Sequence, residues 1–342
     1  MCKPKTAVLL RHVGIGDLIW HIPYIRALAQ SSLNGKVTVI AAPSTLADKI
    51  LATEGCVEQV MLYDRNRRRH DGKGEHRGFR GLIEFSRRVR SQAFDRIYLF
   101  SNRYHHGILA WLARIPLRAG YGRGLFQRLF LNHPPYLRSY SGPAVPQYED
   151  AVTFGLAHGL VAGHQIPKLQ IPATDAAHGR AALSGIAHPV VALVVGSSQT
   201  SKHWGDANYG QLTRMLVESR VSVAVVGGAS ERARVDGIVA AVPAAYRQRV
   251  IAFCDQPILA VAGILKAANL CVGNDTGALN MAAAVDTPCV CVLGHRPVLM
   301  HDPLIQCMRA EQLSDITPAQ VLQTILQRLD GKTETGEIGI AA

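Results

Sequence analysis

No apolar run in this chain approaches the roughly 18 residues needed to cross a bilayer; residues 189–195, among the longest, read as a buried strand. A membrane-spanning protein is not expected. Charge is scarce as well: 18% charged residues beside 48% hydrophobic ones supply packed cores and exclude wholesale disorder. Acid is scarcer than base, with Asp+Glu 25 against Lys+Arg 37 and a net charge of +12. That excess implies an anionic partner: nucleic acid, membrane surface or phosphorylated substrate. Paired metal-ligand spacing is missing. The seven cysteines are odd in number and scattered, and Cys289 and Cys291 stand two apart on an apparent strand, facing one side. They read as reduced and buried in a cytosolic protein. Lys3 and Lys5 precede an apolar stretch as in a secretion signal, but Arg11, His12 and Asp17 interrupt it and no small-residue cleavage site follows. The expected location is the cytoplasm.

What is present is an alternation of strand and helix. Strands are expected at 6–11, 36–41, 59–63 and 96–100, with helices at 17–31 and 45–54. Residues 64–81 break this pattern with glycines and basic side chains, 132–149 read as a Pro- and Tyr-rich loop, and 164–175 as a linker. The alternation then restarts, with strands at 190–195, 221–226, 250–253, 270–272 and 289–293 and helices at 209–219, 230–241 and 318–329. Length and pattern together give two doubly wound α/β units, 1–168 and 169–330, facing a cleft, with 331–342 as a frayed tail. In such sheets ligands sit beyond the carboxyl ends of strands.

Three segments fall at such ends. In Gly273-Asn274-Asp275-Thr276-Gly277 a strand turns tightly into the helix that runs through Asn280. Asp275 or Thr276 would cap it, leaving amides and a dipole that favour phosphate, and Gly277 lets an anion approach the backbone. An ordinary capped helix is the plain alternative. In Gly14-Ile15-Gly16-Asp17 the third glycine of a dinucleotide fingerprint is absent, and Asp17 would repel a pyrophosphate. Asp17 is either an N-cap or a general base, with Gly16 leaving room for a substrate hydroxyl. His21, four residues on, shares its face and either orients the carboxylate, touches the same substrate or packs. In residues 196–204 the hydroxyls of Ser198 and Ser201 and the ammonium of Lys202 suit a diphosphate, although GxxxxGK[ST] is absent; a polar surface loop is the alternative. From Arg65 to Arg90 ten basic residues face three acidic ones. Arg67 and Arg68 lie there, in a solvated loop or a contact to an acceptor or membrane surface. Nucleic-acid binding is not expected, since no recognition motif or interleaved aromatic platform is present.

Together, Gly16-Asp17-Leu18-Ile19 with Pro23, Ser201-Lys202-His203-Trp204 and Gly273-Asn274-Asp275-Thr276-Gly277 resemble the heptosyltransferases, the family-nine glycosyltransferases of lipopolysaccharide core assembly. Gly227-Gly228 with Glu231, and Thr287-Pro288, extend the resemblance over residues 6 to about 294. It implies a GT-B fold: two Rossmann-like domains, acceptor on the N-terminal one, donor on the C-terminal one. It also implies inverting transfer without a metal or a cofactor beyond the co-substrate, ADP-heptose, to an anionic glycolipid or glycan; the basic segment adds an expected peripheral contact with the inner membrane surface. Asp17 is implied as base and Lys202 as the cation on the departing diphosphate. Ser198, Ser201, Asp275, Thr276 and Gly277 are implied for the donor and Glu231 for its ribose; Asn280 is also expected at the donor, and Gly16, His21, Arg67 and Arg68 are expected at the acceptor. Asn280, Gly205 and Pro257 replace the family's usual residues, and His295-Arg296-Pro297 lacks its usual form. These departures bear on the sugar rather than the reaction. Other nucleotide sugars, a nucleotide-sugar 2-epimerase on the same fold, and a non-catalytic nucleotide binder are the rival readings.

Overall fold

In the first half of the chain Thr6–Leu10 (β1) is buried at every position, the signature of a strand covered on both faces of a parallel sheet. The computed structural model describes residues 3–11, 14–65, 67–68, 72–138, 140–197, 199–331 and 338–339. These form two compact units, Met1–Gly142 with Pro146–Pro167, and Pro143–Val145 with Lys168–Ala342.

In the first unit β1 leads into helix Ile15–Gln30 (α1), then Val37–Ala41 (β2), Ala47–Ile50 (α2) and Val57–Leu62 (β3). A small antiparallel pair follows, Arg67–Arg68 (β4) with Gly72–Lys73 (β5). Gly78–Arg90 (α3), Arg96–Phe100 (β6), Tyr104–Leu112 (α4), Leu117–Gly120 (β7), Leu125–Arg128 (α5) and Pro146–Ala157 (α6) complete it. The five-stranded sheet is parallel in the order β3-β2-β1-β6-β7, so the order reverses next to β1. That reversal opens a crevice beyond the carboxyl ends of β1 and β6.

The second unit runs Ala173–Leu183 (α7), Val190–Val194 (β8), Asp206–Glu218 (α8), Ser222–Gly227 (β9), Arg232–Ala240 (α9), Val250–Cys254 (β10) and Ile258–Ala267 (α10). It continues with Leu270–Gly273 (β11), Gly277–Ala284 (α11), Cys289–Val292 (β12), Ile305–Arg309 (β13), Pro318–Leu329 (α12) and Ile338–Gly339 (β14). The sheet order β10-β9-β8-β11-β12-β13-β14 again reverses, between β8 and β11, and every pairing is parallel. Helices α7 and α10 meet backbone to backbone. A Cβ on Gly179 would lie 2.0 Å from the Gly263 carbonyl oxygen, and one on Gly263 2.0 Å from that of Asp175.

Several boundaries differ from the expected ones. The helix expected over 45–54 is broken at Leu46, whose left-handed φ of 52° ends one helical turn and starts another. Part of the basic break is helical: α3 buries Leu82, Phe85 and Val89 on one side and carries Arg87, Arg88 and Arg90 in its last turn, where the dipole favours cations. The expected loop over 132–149 gives way to α6 at Pro146, the expected linker over 164–175 to α7 at Ala173, and β14 in the expected tail joins the sheet edge. Among the described residues no helix is long and apolar enough to cross a membrane. Cys271, Cys289, Cys291 and Cys307 are buried and free, whereas Cys56 and Cys254 are only partly buried.

Candidate functional site

In the first unit the chain leaves β1 through Arg11 and enters α1 with Gly14 in the N-cap position, extended at φ −96°. Asp17 is therefore the third helical residue and not the N-cap. Its Oδ2 accepts the Gly14 amide at 3.2 Å, closing the first turn from within. A Cβ on Gly14 would sit 2.8 Å from that oxygen, so glycine is what lets the carboxylate fold back. Asp17 lines a cavity of about 420 Å³ together with Arg11, Arg65, Arg103, His105 and His106. Burial lowers the pKa of Arg11, with Arg103 adding to the effect. Burial also takes His105 down to about 4, with Arg65 and Arg103 contributing. His106 is lowered well below its ordinary value by burial and then by His105 and the same arginines, and its Nδ1 lies 2.7 Å from Ser101 Oγ. The imidazoles are thus neutral at pH 7, and three guanidiniums line the same cavity as Asp17. A cavity so charged favours an anionic ligand.

His21 does not join this cavity. It is fully buried, its Nδ1 donates to the Asp17 backbone carbonyl at 2.6 Å, and its ring packs edge-on against Phe100 at 5.0 Å. Burial lowers its pKa to about 4. It is a packing residue of α1, which corrects the expectation that it reaches the acceptor. Gly16 is buried in the same turn. Arg67 and Arg68 lie on β4, but their side chains fall outside the described residues, as does Ser198. Arg11, Arg103, His105 and His106 were not singled out from the sequence as site residues, and Arg65 only as the start of the basic stretch. Their one visible signal is position, since Arg11 follows β1, and Arg103, His105 and His106 follow β6.

In the second unit the loop after β8 and the turn after β11 lie side by side because their strands are neighbours. Gly273 permits this closeness, for a Cβ there would meet Val194 Cγ2 at 2.2 Å. Asn274 ties the two together. Its Oδ1 accepts the Trp204 amide at 3.1 Å and the Tyr209 hydroxyl at 2.9 Å, and its Nδ2 donates to the Val292 carbonyl at 2.8 Å. Trp204 is in turn anchored through Nε1 to the Ile316 carbonyl at 2.7 Å.

On this base sits a charged group. Lys202 Nζ is 2.8 Å from Asp275 Oδ2 and 3.3 Å from the Asp275 carbonyl oxygen, and Arg296 Nη2 approaches the same carboxylate at 3.4 Å. Lys202 is therefore a held cation rather than a mobile one, and two cations share one carboxylate. Thr276 takes the N-cap position of α11, yet its hydroxyl makes no cap bond and is buried without a partner. A buried hydroxyl with nothing to bond, at a helix N-terminus beside surplus positive charge, is suited to a phosphate oxygen. Asn280 is buried, and its Nδ2 donates to the Thr276 carbonyl at 2.8 Å, bracing the first turn. Ser201 is exposed. The Glu231 carboxylate accepts the Gly228 amide at 2.9 Å and the Ser230 hydroxyl at 2.8 Å, which makes it the brace of the turn after β9. Among the described residues no three His, Cys, Asp or Glu side chains are grouped to hold a metal ion.

The sequence profile of glycosyltransferase family 9 (heptosyltransferase) matches residues 82–315. The chain belongs to this family. It is a glycosyltransferase. The matched span takes in Arg103, His105 and His106 and the whole Lys202–Asp275–Thr276 group, while Asp17 lies before it. Lipopolysaccharide heptosyltransferase 2 of Salmonella typhimurium is 24% identical over 267 residues, 69% of this chain and 76% of that protein. Among solved structures, the ADP-heptose LPS heptosyltransferase II of E. coli superposes with a TM-score of 0.74 at 18% identity, covering 96% of this chain and 99% of the other. A glycosyltransferase family 9 member from Veillonella parvula reaches 0.78 at 15% identity, covering 97% and 98%. At such identities the structures speak for the fold: an α/β protein with two Rossmann-like parallel sheets of the GT-B type.

Proposed function

We propose that this glycosyltransferase moves heptose from ADP-heptose to a hydroxyl of an anionic lipopolysaccharide-core acceptor, in the cytoplasm, with inversion and without a metal. The observation that carries the donor half is the buried, unpartnered Thr276 hydroxyl beside Lys202, Asp275 and Arg296. Lys202 and Arg296 supply the positive charge that a divalent ion would otherwise bring to a departing diphosphate, and the hydroxyl and first-turn amides of α11 supply hydrogen bonds. The acceptor half rests on Asp17 in a cavity with Arg11, Arg65 and Arg103. There the arginines bind the acceptor's anionic groups and Asp17 takes the proton of its hydroxyl. The freed oxygen forms a bond to the anomeric carbon as that carbon's bond to the β-phosphate oxygen breaks. ADP leaves with the electron pair, and one displacement inverts the centre. ADP-heptose as donor is supported by the relatives named above, one of which carries that donor in its name.

Asp17→Asn tests the acceptor half. Transfer is expected to fall by about 10² to 10⁴, the usual contribution of a general base, with ADP affinity intact; undiminished turnover removes Asp17 from the mechanism. The donor half is tested by thermal titration with ADP, UDP, GDP and CDP, with and without magnesium. A ligand at about 100 Kd adds about 2.7 kcal/mol. Selective stabilisation by ADP without magnesium is expected, whereas preference for UDP or GDP keeps the transferase and discards ADP-heptose. A product with retained anomeric configuration overturns the single displacement.

A further inference from the structure

Three large apolar side chains stand in water on one short helix of the first unit. Leu125, Phe126 and Leu129 are 76%, 77% and 75% exposed on and beside α5. The helix is nevertheless firmly held. The intervening Gln127 is buried, its Nε2 donates to the Ser101 carbonyl at 2.7 Å, and its Oε1 accepts the Gly122 amide at 2.8 Å. A rigid mount that drives the apolar residues outward is a costly arrangement in a protein that stays in water, and such patches mark contact surfaces. Beside it, Trp111 at the end of α4 is 53% exposed and packs edge-on against Phe130 at 6.0 Å. Trp111 also lines a concavity of about 520 Å³ with Arg90, Arg114 and Arg118.

The charge around this tip is mainly positive, although Arg123 is paired with the buried Asp150. Between Asp95 and Glu149 the sequence carries seven arginines and no acidic residue, and Arg114, Arg118, Arg123 and Arg128 bracket the apolar residues. Apolar side chains projecting from a rigid turn, with an interfacial tryptophan and arginines behind them, match the layered chemistry of an anionic bilayer: acyl chains below, phosphates above. One helical turn is also small against the about 800 Å² per partner of a stable protein interface.

We propose that α5 and Trp111 form a membrane-docking tip that inserts into the headgroup layer of an anionic bilayer. The tip reaches the Asp17 cavity through a short chain of contacts, since Gln127 bonds Ser101, whose hydroxyl contacts His106 in the cavity wall. Docking there brings that cavity to the lipid surface. It relocates the membrane contact expected of the basic segment 65–90, and it stands independently of the transfer reaction.

The test is sedimentation of the full chain with vesicles of phosphatidylglycerol and phosphatidylethanolamine, compared with phosphatidylcholine alone, and with no substrate present. Trp20 and Trp204 are buried, so a blue shift of tryptophan emission on binding reports Trp111. Wild type is expected to sediment with the anionic vesicles and shift to the blue. Combined Leu125→Ser, Phe126→Ser and Leu129→Ser is expected to lower the partition coefficient at least about tenfold, with melting temperature and ADP affinity unchanged. Arg90→Gln with Arg114→Gln is expected to lower it about fivefold per charge. Should the triple variant fail to fold, Phe126→Ser alone carries the same comparison. Failure of wild type to bind anionic vesicles at physiological salt overturns the proposal, as does full binding by the apolar variant. Self-association of wild type that the variant abolishes, without vesicle binding, assigns the tip to a second copy of the chain instead.

Discussion

Replacing Asn274 by alanine is the sharpest perturbation of the architecture proposed to hold the donor. The side chain is 2% exposed, and its removal deprives three buried groups of a partner: the Trp204 amide, the Tyr209 hydroxyl and the Val292 carbonyl. Each buried polar group left unsatisfied costs about 1 to 3 kcal/mol. One of the three will recover part of its loss through water entering the vacated space, so the expected cost is about 3 to 6 kcal/mol. Against a typical domain stability of about 5 to 15 kcal/mol this is a large fraction. It corresponds to a drop of about 10 to 20 °C for a unit of this size. Because the chain has two units, differential scanning calorimetry is the appropriate assay, and only the transition of the second unit should move. Isothermal titration at a temperature where the variant is folded should also show weaker ADP binding, since Asn274 fixes the loop that bears Lys202. A shift under about 3 °C, or a matching shift of both transitions, would refute the view that this asparagine joins loop, turn and strand.

Thr276→Val removes the orphaned hydroxyl and keeps its shape, so stability should hold or rise while ADP affinity falls about tenfold, read by titration calorimetry. Arg65→Gln and Arg103→Gln should each raise the acceptor KM about tenfold while leaving ADP affinity and kcat little changed; an effect on ADP binding would contradict their assignment to the acceptor cavity. Stability should depend on acid through His21 in the first unit and His301 in the second, each lowered by burial from 6.5 to about 4. Because the unfolded chain binds these protons first, their contribution is full above pH 6.5 and is lost as the pH falls from 6.5 to about 4, by about 3 kcal/mol per histidine. Flat urea midpoints across that window would contradict it.

Much of the fold was legible because parallel strands announce themselves. The runs at 6–10, 37–41 and 190–194 are apolar but for Thr6 and Thr38, and they are buried at every position, as a strand covered on both faces requires. The helices that were missed are amphipathic or rich in small residues and lie beside glycine or proline. Thus α3 hides within a basic run, and α7 and α10 rely on a glycine contact between them rather than on an apolar stripe. At the candidate site the Asp275-Thr276-Gly277 turn and Lys202 could be named from local chemistry, because a strand–turn–helix junction creates free amides wherever it occurs.

Their relations could not be named in that way. Lys202 and Asp275 are 73 residues apart and meet because β8 and β11 are neighbours in the sheet. The Asp17 cavity draws Arg65 from beyond β3 and Arg103 and His106 from beyond β6, and His21, which shares a helical face with Asp17 in sequence, is packed in the core against the ring of Phe100. By itself, the sequence determined the two parallel sheets and the turn proposed to bind phosphate, since both follow from periodicity and from bonds between near neighbours. Only the tertiary structure decided which cations share a carboxylate, which histidine is buried and which apolar residues stay in water, because those outcomes depend on strand order and packing between segments far apart in the chain.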